Sequence, residues 1–293
     1  MRWLITGATG MVGSDLRTQL KEADADVVAV GRAELDVTDR DAVLYLMKNV
    51  RPQIVVNCAA FTKVDACESE EERATEVNGT AVGHLAEGCN RWSALLLQIS
   101  TDFVFDGASV EPYEINHPVA PISAYGRSKL EGEREAASAW KHQIVRTSWL
   151  FGTHGWNFVE AIRRQIDNGR RELKVVDDQR GRPTYTPHLA SALIRLGKLG
   201  AAAEEAQGTF HYADDDACSW FDFATAIVEK LDGRGELPEP VVVSSVTSAE
   251  FASPARRPAW SVLSTERYER LTGARPESWR EGLDEYLERR TLG

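Results

Sequence analysis

Cysteine is scarce in this chain. Its 293 residues hold four, Cys58, Cys67, Cys89 and Cys218. None forms a C-x-x-C pair and none stands at zinc-ligand spacing from a histidine, so neither a disulfide scaffold nor a structural zinc site is expected. Free thiols suit a reducing cytoplasm, which is the expected location. Long apolar runs are also missing. No stretch approaches the ~20 residues of a spanning helix, and the first apolar segment turns glycine-rich too early for a secretory signal. Positive charge is in deficit, with 34 Lys and Arg against 45 Asp and Glu and a net −11. Such a chain is a poor partner for nucleic acid or an anionic membrane. Internal repeats and low-complexity tracts are absent.

What remains is the composition of a globular protein, 43% apolar and 27% charged, long enough for one large domain or two smaller ones. Short apolar runs at 2–6, 27–30, 53–58, 94–99 and 143–147 alternate with helix-length amphipathic stretches at 12–23, 39–49, 69–89 and 125–140. The run ALLLQI is continuous rather than alternating, as in a strand covered on both faces. This rhythm predicts an α/β protein, a Rossmann-like doubly wound parallel sheet. After residue 150 the rhythm loosens and Pro and Arg cluster at 179–187 and 253–260. Helices are expected at 157–168, 187–199, 219–231 and 277–290. Residues 1–150 read as the dinucleotide-binding domain. Residues 151–293 read as a smaller, mainly C-terminal substrate lobe, with some segments returning to the first domain.

The first strand runs straight into Gly7-Ala8-Thr9-Gly10-Met11-Val12-Gly13. A glycine at the turn permits backbone conformations closed to other residues. Gly10 lets the chain approach a pyrophosphate, and Gly13 lets the new helix pack on the strand. The N–H groups of the first helical turn then face the phosphates. The second strand ends in Val30-Gly31-Arg32, where an acidic residue would bind a ribose 2′-hydroxyl and favour NAD. Arg32 instead offers a planar fork to a 2′-phosphate. Glu34 and Asp36 follow closely, so the strand end favours NADPH and leaves NADH open. Asp36 and Val37 are candidates for the adenine edge.

Tyr125 and Lys129 stand at i and i+4, on one face of a predicted helix. A phenol with a pKa of about 10 is a reluctant acid near neutrality, and an ammonium one turn away is expected to lower it. The run Ser100-Thr101-Asp102-Phe103 follows directly on the strand ALLLQI, at the carboxyl edge where open parallel sheets bind ligands. The Thr101 hydroxyl is placed to stabilise a developing oxyanion. Asn57-Cys58-Ala59-Ala60 ends another strand at that edge, with small side chains under a flat cofactor.

Seven ordered motifs resemble the dTDP-4-dehydrorhamnose reductase family of extended short-chain dehydrogenases. They are GATGMVG at 7–13, RPQIVVNCAAFTKVDACE at 51–68, STDFVFDG at 100–107, PISAYGRSK at 121–129, RTSWLFG at 146–152, DQRGRPT at 178–184 and RRPAWSVLST at 256–265. The resemblance implies a catalytic set of Thr101, Tyr125 and Lys129. It implies dinucleotide contacts at Gly7, Gly10, Met11, Val12 and Gly13. Ala59, Ala60, Phe61 and Thr62 would lie towards the nicotinamide. Thr101, Asp102, Tyr125, Lys129 and Trp149 would meet a dTDP-sugar, with Arg182 as a further candidate. Phe103 departs from the family's usual Tyr, and Arg182 from a small residue. The implied reaction is NAD(P)H-dependent reduction of dTDP-6-deoxy-L-lyxo-4-hexulose to dTDP-L-rhamnose. A sister ketoreductase of a secondary-metabolite sugar pathway and a non-catalytic dinucleotide-binding regulatory subunit are the alternatives. Phe103 occupies the position of the glutamate that related dehydratases use at C5, which counts against that activity. A homodimer is possible. Members of the family can use Mg²⁺ at a dimer contact, but no ligand set for it stands out in this sequence. Arg32→Ala is expected to raise the KM for NADPH more than that for NADH in steady-state kinetics. Equal changes would mean that Arg32 does not read the 2′-phosphate.

Overall fold

A computed structural model describes residues 1–291. Five expected strands form as β1 (Arg2–Thr6), β2 (Asp26–Val30), β3 (Ile54–Asn57), β4 (Leu95–Thr101) and β5 (His142–Thr147). A sixth, Gly208–His211, comes from the second half of the chain and pairs in parallel with β5. Its GTFH sequence is too short and mixed to announce a strand. The order from one edge is this strand, then β5, β4, β3, β1 and β2, and every pairing is parallel. The direction of winding reverses between β1 and β3, so their carboxyl ends diverge into a crevice, the usual ligand position of such sheets.

Helices cover both faces. Trp3, Ile5, Ile54, Val56, Leu95 and Leu97 pack under the helices Met11–Glu22 and Thr186–Ala202. Leu4, Val55, Leu96 and Ile144 face the other way, towards Arg40–Val50 and Ala81–Trp92. The uninterrupted apolar reading of β4 follows, because successive side chains enter opposite cores. The stretch expected as one helix at 69–89 is instead broken into Glu71–Thr75, a π turn at Glu76–Thr80 and Ala81–Trp92.

The second half builds a separate core. The parallel pair Glu172–Val176 and Val242–Val246 packs with the helices Phe158–Asp167, Trp220–Gly233 and Trp279–Thr291. Helix Thr186–Ala202 packs on the large sheet, and strand Gly208–His211 joins it. Helix Glu266–Thr272 escaped the sequence reading. It contributes Tyr268 to the large core.

At Gly13 a Cβ would stand 2.4 Å from the Gly7 carbonyl oxygen, a backbone atom that cannot swing away. Gly13→Ala is therefore expected to cost about 1–3 kcal/mol in denaturant unfolding and to weaken dinucleotide binding, with both losses appearing in the same variant.

Candidate active site

The crevice is a cleft of about 1270 Å³ between the sheet edge and the second lobe. Gly10–Gly13 form its floor after β1, Asn57–Ala60 and Thr62 after β3, Ile99–Phe103 at the end of β4, and Thr147–Leu150 after β5. Gly7 adopts φ +62°, and a Cβ on it would stand 2.5 Å from the Ala59 nitrogen. Only glycine lets the two strand-end turns lie this close. The 12-residue helix Met11–Glu22 has no side-chain cap and no acidic residue in its first turn. Its free N–H groups and positive dipole end suit a diphosphate. A dinucleotide therefore fits the donors present, with Gly10, Met11, Val12 and Gly13 to hold its phosphates.

Thr101, Tyr125 and Lys129 meet on the wall of this cleft. Tyr125 and Lys129 ride on the helix Ala124–Ala136. Ser123 caps that helix through the Gly126 N–H at 3.2 Å. The Thr101 hydroxyl, which donates to Asp102 Oδ1 at 2.9 Å, stands on the same cleft wall as Tyr125, and the Phe103 ring meets the Tyr125 ring edge-on at 5.6 Å. Lys129 Nζ donates to the Ile99 carbonyl at 2.6 Å. The electrostatics differ from the sequence expectation. Burial, then the nearby Asp102 carboxylate, push the Tyr125 phenol up rather than down. Burial pulls Lys129 down to about 8, opposed by Glu133. Tyr125 is thus held protonated across neutral pH, the state of a proton donor.

Asp102 is buried, and its carboxyl is pushed up to about 6 by that burial, opposed by the nearby Ser261 hydroxyl and by the Thr101 hydroxyl, which donates to Oδ1 at 2.9 Å. One of its carboxylate oxygens, Oδ2, is buried without a protein partner, a state that a polar ligand group would relieve. Trp149 lines the cleft in a left-handed backbone conformation, φ 48°, a strain that non-glycine residues seldom carry. Its indole stacks on Trp220 at 3.6 Å, so one of its two faces is covered by protein.

Other expected residues lie elsewhere. Arg32 is exposed and outside the cleft wall, while the Glu34 carboxylate accepts from the Gly31 N–H at 2.8 Å. Asp36 accepts from the Thr38 N–H at 3.0 Å and hydroxyl at 2.8 Å, which hold it below the usual carboxylate range. The Val37 side chain is part of the buried core. Phe61 packs beside Tyr125 and Ala124 instead of lining the cleft. Arg182 does not reach the cleft. It lines a smaller pocket with Glu111, Glu114, Glu266 and Glu269, 3.7 Å from Asp215.

Three contributors went unrecognised in the sequence. The acidic run at 68–72 reads as a solvated helix start, yet Glu68 accepts from the Ala124 N–H at 2.9 Å and Glu71 pairs with Arg127 at 2.7 Å. Both brace the Tyr125 helix. Asn78, in the π turn and 1% exposed, accepts from the Phe61 N–H at 2.8 Å. It also donates to the Phe61 carbonyl at 3.0 Å and to Ser128 Oγ at 2.9 Å. Its signal was a polar residue on the buried face of an expected helix. Glu133, the third, is taken up below. A different group, His188, Asp214 and Glu277, brings three possible metal-ligand atoms within 4.8 Å of one another. None of these residues lines the cleft. Among the described residues, no helix is long and apolar enough to cross a membrane.

A parallel sheet with a glycine-rich turn, a Thr–Tyr–Lys cluster at its carboxyl edge and a second lobe closing the cleft defines an oxidoreductase of the extended short-chain type. The chain matches the family described as RmlD substrate binding domain over residues 1–292, and it belongs to that family. It is 41% identical to a dTDP-4-dehydrorhamnose reductase of Streptomyces griseus, covering 97% of this chain and 92% of that protein. It is 42% identical to a probable dTDP-4,6-dihydroxy-2-methyloxan-3-one 4-ketoreductase of Streptomyces antibioticus, covering 97% and 94%. The crystal structure of dTDP-4-dehydrorhamnose reductase from Bacillus anthracis str. Ames in complex with NADP superimposes with a TM-score of 0.91 at 36% identity, covering 98% of this chain and 99% of that one.

Asn78→Ala leaves the Phe61 N–H without its side-chain partner and the Phe61 carbonyl with only the weak Cys67 thiol donor at 3.9 Å. The expected loss is about 2–3 kcal/mol of stability in denaturant unfolding. Faster hydrogen exchange at the Phe61 amide is expected alongside it, and unchanged exchange there would show that the clamp is dispensable.

Proposed function

We propose that this chain reduces the C4 ketone of dTDP-6-deoxy-L-lyxo-4-hexulose with NADPH to give dTDP-L-rhamnose. The observation that carries the reading is the placement of a partly buried Tyr125 beside Thr101 and Lys129 on the wall of a cleft whose floor suits a dinucleotide. Bound NADPH supplies the hydride. Tyr125 then donates its proton to the oxygen that becomes the C4 hydroxyl, as general acid. Thr101 stabilises the charge developing on that oxygen. Lys129, fixed by the Ile99 carbonyl, keeps a positive charge near the phenol as the proton leaves. Asp102 offers its unpaired oxygen to a sugar hydroxyl, and Trp149 forms an apolar wall. The nucleotide portion binds remote from the reacting carbon, and its binding energy orients the ketone.

NADPH is favoured over NADH because Glu34 is tied to the Gly31 N–H while Arg32 stays exposed at the strand end. The Bacillus anthracis relative binds NADP, in line with this choice. The Streptomyces antibioticus relative carries the name of a different 4-ketoreductase, which keeps a sister sugar as the second reading. The ketone named for that relative carries no hydroxyl at the position of sugar C2, so the sugar accepted separates the two readings.

Absorbance at 340 nm follows the reaction, and NMR of the product fixes the C4 configuration. Tyr125→Phe is expected to lower turnover by at least about 100-fold, with dinucleotide binding retained by fluorescence titration. Full activity in that variant would refute the proton-donor role. A C4 epimer of dTDP-L-rhamnose as product would keep the chemistry and move the protein to the sister pathway.

A further inference from the structure

We propose that Glu133 is a positioning residue for this reaction: its buried carboxylate sets the seat of the Tyr125 helix on the sheet and maintains the charge of Lys129. The inference rests on the reductase reading above. Glu133 lies one turn beyond Lys129 and two beyond Tyr125 on the same helix face. It is 5% exposed. Its carboxylate accepts from Ser100 Oγ at 2.6 Å, from Arg146 Nε at 2.8 Å and from Arg146 Nη2 at 2.7 Å. Ser100 directly precedes Thr101 at the end of β4, and Arg146 directly precedes Thr147 at the end of β5. One side chain thus ties the helix that carries the proton donor to both strand ends that form the cleft wall.

Stability alone is a weak reason for this arrangement. Desolvating two charges offsets most of their attraction, and apolar residues of similar volume hold elements together as well. What they cannot supply is a fixed negative charge one turn from Lys129. The other groups acting on that ammonium are few. Cys58 approaches from the end of β3, but burial pushes its thiol up to about 12 and leaves it neutral. Tyr125 is protonated, and Asp102, beyond β4, acts on Tyr125. Arg146 stands on β5 with Glu133 as its partner. Glu133 is therefore the carboxylate that opposes the effect of burial on Lys129. Without it, the ammonium would begin to lose its proton in the range where Tyr125 must act.

The test measures Lys129 directly in the ligand-free protein. Acetic anhydride labels neutral amines, and peptide mass spectrometry across a pH series gives the titration midpoint of Lys129 without any turnover. Glu133→Gln is expected to lower that midpoint by about one pH unit and to move the alkaline limb of kcat down with it. Glu133→Asp, which keeps the charge, should restore most of both. An unchanged midpoint in E133Q, with only a lower melting temperature, would overturn the proposal and leave Glu133 a structural residue. If E133Q does not fold, the double variant E133Q/R146M removes both buried charges. It should shift the midpoint in the same direction by less, and no shift there would overturn the proposal equally. Wild-type protein that shows the Glu133-dependent midpoint but reduces no keto sugar would remove the reductase reading while the coupling of Glu133 to Lys129 stands.

Discussion

Three buried polar side chains, Thr6, Asn57 and Gln98, tie the carboxyl ends of β1, β3 and β4 into one level edge. The Thr6 hydroxyl donates to Asn57 Oδ1 at 2.6 Å, and Asn57 Nδ2 donates to Gln98 Oε1 at 2.8 Å. Gln98 Nε2 then reaches the Ile99 carbonyl at 2.9 Å, the oxygen that also accepts from Lys129. Each of these strands hands on a different part of the site: the glycine turn, the Ala59–Ala60 step and the Ser100–Thr101 pair. A slip of any one strand would leave buried amides unpaired, at a cost of about 1–3 kcal/mol for each group. Networks of this kind specify a single arrangement because partial satisfaction is worse than none.

The helix bearing Tyr125 and Lys129 is held along its whole length. Ser123 and Glu68 satisfy N–H groups of its first turn, Arg127 reaches Glu71, Ser128 meets Asn78, and Glu133 meets Ser100 and Arg146. Such support suits a general acid, since a small displacement of the proton donor lowers the rate steeply. It also explains the π turn at Glu76–Thr80. The extra residue widens one helical turn and brings Asn78 against both Phe61 and Ser128, consistent with the frequent occurrence of such turns at functional sites.

The second lobe closes the cleft with a core of its own, and Trp149 stands at the junction. Its strained backbone and its stack on Trp220 place an aromatic wall in the cleft that Tyr125 and Lys129 also line. The lining of the cleft is thus drawn from both halves of the chain, while Thr101, Tyr125 and Lys129 come from the first half alone. Substrate choice can then change through the second lobe without disturbing Thr101, Tyr125 and Lys129.

Local pattern alone announced much of this protein. The apolar runs, the G-x-x-G-x-x-G turn and the i, i+4 pair depend on contacts within a few residues, so β1 to β5, the glycine turn and the Tyr–Lys face were all legible. Nothing within a turn of Arg146 or Glu133 shows that they are buried against each other. The acidic run at 68–72 looked solvated for the same reason: its partners Ala124 and Arg127 lie more than fifty residues away. Strand Gly208–His211 depended on the vacant edge of β5, which a linear reading does not display. Helix period and turn chemistry are written in neighbouring residues. The shifts of Tyr125 and Lys129 came from burial and, for Tyr125, from Asp102 on another element, and only the folded chain assembles those.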